Sequence, residues 1–175
     1  MRWKNGGGET SEIHREDGEG DSLRFRVSLA KIESDGPFSS FPGIDRILVL
    51  IEGDEMELAA TASAGGAAWR ESLRLYELLR FRGEEVIEAH VFGRTTRDLN
   101  VMWQRGAFAQ VACEIRRESF EVTGRAALVV LRGEMELDCG GEVHVLSAHD
   151  TALIDAQEFA RAASDGAIVA AITLR

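Results

Sequence analysis

Apolar and polar residues alternate with a period of two along most of this chain, the pattern of strands that bury one face. Leu23, Phe25, Val27 and Leu29 alternate with Arg24, Arg26 and Ser28, which predicts a strand with one buried face. Ile47-Leu48-Val49-Leu50-Ile51 is instead a continuous apolar run closed by Glu52-Gly53-Asp54. Such a run suits a strand buried on both faces and ended by a turn. Alternation resumes at Met56 and Leu58, so 47–60 reads as a hairpin. The C-terminal third repeats the device: Ala127-Leu128-Val129-Val130-Leu131, then Arg132-Gly133-Glu134, then Met135 and Leu137 set between acids. Val143 and Val145 follow a Gly140-Gly141 turn, and two further apolar runs, Ala152-Leu153-Ile154 and Ile168-Val169-Ala170-Ala171-Ile172, complete the series.

The segments starting at Ile47 and Ala127 share one plan: apolar strand, charge-Gly-acid, then a strand alternating with acids. Two such copies predict an internal duplication of a β-module. Short strands at regular spacing with Gly-rich turns point to an all-β closed barrel or sandwich. The stretch 68–81 is ambiguous. Leu75, Leu78 and Leu79 among good helix formers allow a helix, whereas Leu73-Arg74-Leu75 allows an extended start.

Both prolines, Pro37 and Pro42, fall in Ser34-Asp35-Gly36-Pro37-Phe38-Ser39-Ser40-Phe41-Pro42-Gly43-Ile44-Asp45-Arg46. A stiff connection carrying Ser39, Ser40, Asp45 and Arg46 is a better candidate for function than a strand position. At 45% hydrophobic and 29% charged, the 175 residues argue for a packed fold rather than disorder. A net charge of −10 argues against nucleic acid as a partner, since that binding needs a basic footprint. No run of about 18 uncharged apolar residues occurs, so no membrane-spanning helix is expected. The opening residues carry no apolar run behind their basic side chains, which predicts no secretory signal and a cytoplasmic location. Cys113 and Cys139 lie far apart without zinc spacing, and Cys113 reads as a small buried thiol.

Three segments carry a family resemblance. Trp3-Lys4-Asn5-Gly6-Gly7-Gly8-Glu9-Thr10-Ser11-Glu12-Ile13, Asp35-Gly36-Pro37-Phe38-Ser39-Ser40-Phe41-Pro42-Gly43-Ile44-Asp45-Arg46 and Asp98-Leu99-Asn100-Val101-Met102-Trp103-Gln104-Arg105-Gly106 resemble, in order and spacing, the signatures of the HutD/Ves family. The likeness covers roughly residues 3–106; the C-terminal part shows no comparable motif. The resemblance implies an all-β fold of cupin type, a double β-barrel or bicupin of jelly-roll build. Residues 1–106 would form the N-terminal cupin module carrying the motifs, and 107–175 a C-terminal module packed with it as one unit. It also implies that 68–81 is largely extended. Bacterial members are associated with histidine-utilisation genes, which suggests a breakdown intermediate such as formylglutamate or urocanate as ligand and a regulatory role. Cupins commonly pair through strands, so the same analogy suggests a homodimer.

The chemistry legible in the residues is that of anion binding. Lys4, Arg46 and Arg105 stand one in each motif of an acidic chain, and an arginine fork matches a carboxylate. Asn5 and Asn100 both donate and accept, while Trp3, Phe38 and Phe41 could wall a site at a barrel mouth. The expected ligand-binding set is Trp3, Lys4, Asn5, Phe41, Asp45, Arg46, Asn100 and Arg105, with a small carboxylate as partner. The plainer alternative is that Arg46 pairs with Asp45 or Asp98 and that Asn100 holds a turn. Metal is not expected, because His14, His90, His144 and His149 include no HxH pair, and no cofactor is expected either. No GxSxG elbow or Ser–His pairing assembles a nucleophile, so a non-enzymatic binder is the leading expectation. The alternative is a cupin enzyme, an isomerase or hydrolase of a small carboxylate metabolite, with Asp45, Asp98 or Glu12 as general base.

Overall fold

A computed structural model describes residues 1–3, 6–62, 67–156, 158–164 and 166–175. The chain divides into two compact units, Met1–Ala107 and Phe108–Arg175. Unit 1 holds β1 (Gly8–Asp17), β2 (Leu23–Ile32), β3 (Gly36–Pro37), β4 (Ile44–Glu52), β5 (Glu55–Ala60), β6 (Trp69–Arg74), β7 (Leu78–Arg82), β8 (Ile87–His90) and β9 (Thr96–Gln104). They form one sheet in the order β1-β2-β9-β4-β7 and another in the order β3-β8-β5-β6. Unit 2 holds β10 (Val111–Arg116), β11 (Phe120–Thr123), β12 (Ala126–Arg132), β13 (Glu134–Cys139), β14 (Glu142–Ser147), β15 (Thr151–Ile154), β16 (Phe159–Ser164) and β17 (Ile168–Leu174). Its sheets run β10-β17-β12-β15 and β11-β16-β13-β14.

Matching β2 to β10 and continuing in chain order, the strand orders of the two units coincide, with β1 added at one edge of the first. Each unit is thus the same jelly roll, a pair of antiparallel sheets with its core between them. In unit 1 that core joins Leu48 and Leu50 of β4 to Met56 and Leu58 of β5, Leu73 of β6 and Phe81 of β7. In unit 2 Leu128 and Val130 of β12 face Met135 and Leu137 of β13, together with Val122, Ile154 and Val169.

The expected hairpin at 47–60 does not exist. β4 and β5 belong to different sheets, as do their counterparts β12 and β13, so each charge-Gly-acid segment is a corner between sheets. The corners require glycine. Gly53 has φ +105° and a Cβ there would lie 2.9 Å from Thr96 Cγ2; Gly133 has φ +77° with Ala167 Cα 3.1 Å from the same point. The stretch 68–81 is extended, as β6 and the start of β7, with Tyr76 (φ 67°) turning between them. Its leucines serve strand positions: Leu73 is buried in the core, whereas Leu75 and Leu78 are exposed. Ile47 to Ile51 are all buried, as expected for a strand covered on both faces. No helix among the described residues is long and apolar enough to cross a membrane.

Candidate functional site

A cavity of about 640 Å³ opens inside unit 1. That is a size suited to a small metabolite. Its wall is the inward face of three neighbouring strands. Antiparallel register puts Ser28 of β2 opposite Asn100 of β9 and Ala30 opposite Asp98. On the other side of β9, Arg46 of β4 lies opposite Met102, Leu48 opposite Asn100, and Leu50 opposite Asp98. Residues two apart on a strand share a face. Arg26, Ser28 and Ala30 therefore turn inward with Asp98, Asn100, Met102 and Arg46, and all seven line the cavity.

The rest of the wall comes from the chain's beginning and from the proline-bearing loop. The N-terminal residues fold back, with Trp3 N–H donating to the Gly8 carbonyl at 2.9 Å and an isolated bridge joining Arg2 to Glu9. Trp3 Nε1–H donates to Thr10 Oγ1 at 2.8 Å, which holds the indole against the cavity. The loop is pinned by three backbone bonds: Phe38 N–H to Ile87 O (2.9 Å), Phe41 N–H to Gly83 O (2.7 Å) and Gly83 N–H to Ile44 O (2.7 Å). A Cβ on Gly83 would lie 2.5 Å from Phe41 O, so only glycine permits this approach. Pro37, Phe38, Ser39 and Phe41 thereby reach the cavity.

Arg46 dominates the chemistry. It is only 4% exposed, and its guanidinium lies 5.3, 5.6 and 4.8 Å from the ring centroids of Phe38, Phe41 and Phe81. Aromatic faces stabilise a cation without consuming its hydrogen-bond donors. Among the described residues its hydrogen bond is a long one, Nε–H to Asn100 Oδ1 at 3.5 Å, and no carboxylate lies within ion-pair distance. Burial lowers its pKa to about 10, against the pull of Asp98 and with help from nearby Arg26, so it stays charged at neutral pH. Arg26 is already matched by Glu12, 2.8 Å away.

Asp98 is the second unusual group. It is 1% exposed, and burial pushes its carboxyl from 3.8 to about 7 although Arg46 pulls the other way. Among the described residues its Oδ1 and the Ser28 hydroxyl are buried without hydrogen-bond partners. Native proteins rarely leave buried polar atoms unsatisfied, and such atoms in a cavity wall mark where a bound molecule would supply the missing partner.

Of the expected site residues, Trp3, Phe41, Arg46 and Asn100 come together in this cavity. Lys4 and Asn5 lie outside the described residues. Asp45 and Arg105 are elsewhere: adjacent residues on a strand point to opposite faces, so Asp45 faces away from the wall that Arg46 faces. Arg105 Nε–H donates to Asp45 Oδ1 at 3.0 Å, and its two terminal nitrogens each donate to an oxygen of Glu84 at 2.9 Å. These bonds raise the arginine's pKa and lower that of Glu84, and they tie the ends of β4 and β9 to the turn after β7. Arg46 therefore pairs with neither aspartate, and Asn100 stands mid-strand rather than in a turn.

The strongest polar groups sit on strands, not in the loop. Arg26 and Ser28 were legible only as the exposed side of an alternating strand, yet that side faces the cavity. Phe25 and Val27 on its other side are buried as well. Three of the four histidines each lie beside a single carboxylate, His14 by Glu16 at 3.1 Å, His90 by Asp35 at 3.3 Å and His144 by Glu142 at 3.6 Å.

A sequence model of the HutD family matches residues 1–171. The chain belongs to the HutD family. Among curated relatives it is 38% identical over 104 residues to an uncharacterised 21.2 kDa protein in the hutC 3′ region of Pseudomonas putida, covering 59% of this chain and 52% of that one. It is 36% identical over 104 residues to protein Ves of Citrobacter koseri, with the same coverage. The matched part spans about half the length of these relatives. A structure of HutD from Pseudomonas fluorescens SBW25, determined in a formate condition, superposes with a TM-score of 0.80 at 27% identity, covering 100% of this chain and 93% of that one. A cupin 2 conserved barrel domain protein from Leptotrichia buccalis shares the fold at a TM-score of 0.62 and 10% identity, covering 100% and 92%. The chain is accordingly a cupin-type double jelly roll.

Proposed function

We propose that this HutD-family chain binds a small carboxylate metabolite in the cavity of its first unit and serves a regulatory role in histidine utilisation. The observation that carries the reading is Arg46: a buried, charged guanidinium without a carboxylate partner among the described residues, caged by three phenylalanines and lining a cavity of about 640 Å³. Burying such a cation costs several kcal/mol unless an anion meets it, and a carboxylate fits its planar fork. Asn100 and Ser28 add neutral groups able to read an amide, formyl or imidazole function. The histidine-breakdown acids formylglutamate and urocanate combine such a function with a carboxylate. The names of the relatives supply the pathway, and the cytoplasm is where it would operate.

The test is a thermal-shift and calorimetric screen with histidine, urocanate, formiminoglutamate, formylglutamate, glutamate and formate. A ligand at 100 times its Kd stabilises the native state by about 2.7 kcal/mol, readily seen as a shift in Tm. Arg46→Met should abolish that shift and Asn100→Ala should weaken it, with the fold intact by circular dichroism. Unchanged binding in Arg46→Met would refute the reading.

A second reading, catalysis on the bound acid, is favoured by one observation: of Asp45, Asp98 and Glu12, Asp98 alone lines the cavity, and its pKa is raised towards neutrality. Turnover of any acid in the panel, lost in Asp98→Asn, would establish it.

A further inference from the structure

Asp98 and Asn100 stand two residues apart on β9 and share the cavity-facing side. Across the sheet Asp98 is flanked by Ala30 and Leu50, whose side chains carry no hydrogen-bond donor. Among the described residues its Oδ1 has no hydrogen-bond partner, and no ion pair within 4 Å joins it to Arg46. The other charged groups of the wall, again among the described residues, are Arg26 on β2, matched by Glu12 of β1, and Arg2 with the Met1 amino group on the N-terminal segment. The loop face contributes Pro37, Phe38, Ser39 and Phe41, none of which titrates.

We propose that Asp98 meets the bound anion as the neutral carboxylic acid, so that the cavity takes up one proton with each carboxylate it binds. This rests on the carboxylate-binding reading of the same cavity. Charge balance gives the reason. Of the charged groups in the wall, Arg2 and the Met1 amino group are exposed to solvent, whereas Arg46 and Asp98 are buried. With Arg46 positive and Asp98 negative that buried pair is balanced, and a second carboxylate would leave one uncompensated buried charge. Two carboxylates confined to one low-dielectric site do not both stay ionised; one holds a proton. The ligand's ordinary acidity and its contact with Arg46 keep the ligand ionised, so the proton goes to Asp98, which burial has already brought to about 7. The acid can then donate through the oxygen that lacks a partner. The proton comes from solvent, and no covalent bond changes.

If only protonated Asp98 admits the anion, apparent affinity follows the protonated fraction. With a pKa of about 7, that fraction falls about 100-fold from pH 6 to pH 9. The test is calorimetric titration of formate, and separately of formylglutamate, into the full chain at pH 6, 7.5 and 9. Phosphate and Tris buffers, which differ in ionisation enthalpy, give the proton count. The expected result is uptake approaching one proton at pH 7.5 and above and about 100-fold weaker binding at pH 9 than at pH 6. Asp98→Asn should bind formate with an affinity that changes less than about threefold over the same range. Binding without pH dependence or proton uptake overturns this inference and leaves the carboxylate reading standing. Absence of binding by both acids at pH 6, where affinity should be greatest, overturns both. Should Asp98→Asn fail to fold, the carboxyl-carbon resonance of Asp98 in formate-saturated wild-type protein decides. A protonated Asp98 at pH 7.5 supports the proposal and an ionised one overturns it.

Discussion

Asp98→Asn should also change the stability of the ligand-free protein, with a sign and a size that follow from its position. The folded carboxyl is held at about 7 by burial, against 3.8 for the same group in water. Between those values the folded chain keeps a proton that the unfolded chain has released, so stability falls as pH rises through the window. The full difference is about three pH units, or about 4 kcal/mol at 1.36 kcal/mol each. Integrated from pH 5 to pH 8, about 3 kcal/mol of it is lost. Glu33, Asp35 and Glu84 have lowered pKa values, from Lys31, from the Val91 backbone N–H with His90, and from Arg105 respectively. Their contributions disappear only as pH falls below the ordinary carboxylate range, outside this window. Asparagine keeps the shape and removes the titration. All three tryptophans, Trp3, Trp69 and Trp103, belong to unit 1, so urea unfolding followed by fluorescence reports on the unit that holds Asp98. Wild type should lose about 3 kcal/mol between pH 5 and 8 while Asp98→Asn stays nearly flat and is the more stable of the two at pH 8. Parallel curves, or a variant less stable than wild type at pH 8, would show that Asp98 is not a buried acid held neutral.

Arg105→Ala removes bonds to Asp45 and Glu84 that are all substantially exposed to solvent. It should cost no more than about 1 kcal/mol in a urea titration and leave carboxylate affinity unchanged. A large loss of binding would place Arg105 in the ligand site after all. Gly83→Ala puts a methyl group 2.5 Å from Phe41 O and 2.8 Å from Ile44 O. It should displace the loop that carries Phe38 and Phe41, lower Tm by several degrees, and weaken formate binding by calorimetry. Cys113, buried and pushed up to about 12, should resist iodoacetamide at pH 8 until denaturant is added, which mass spectrometry of the labelled peptide would check.

Period-2 alternation, the apolar runs at Ile47 and Ala127, and the repeat relating them were local patterns, and local patterns suffice to specify strands and their inward and outward faces. The family resemblance, and not the alternation, placed Arg46 and Asn100 among the residues worth watching, through the motifs that contain them. What such patterns cannot specify is which surface a face meets. The side of β2 bearing Arg26 and Ser28 reads as solvent-facing because its residues are polar, but in a jelly roll it faces a cavity. Polar alternation alone does not distinguish bulk water from the lining of a binding site. The segment at Gly53 reads as a hairpin from sequence, but a corner between sheets needs the same glycine with positive φ. Long-range pairing of β4 with β9 and β7, rather than with β5, settled it. Asp45 and Arg46 are neighbours in sequence and opposites in space, one tied to Arg105 and the other turned into the cavity. Composition and periodicity thus determined an all-β chain of two repeated modules. Only tertiary structure decided that Arg46, Asn100, Ser28 and Asp98 share one cavity. Their convergence depends on the register between strands distant in sequence, and on the burial that shifts the acidity of Asp98 and Arg46, neither of which is a local property of the chain.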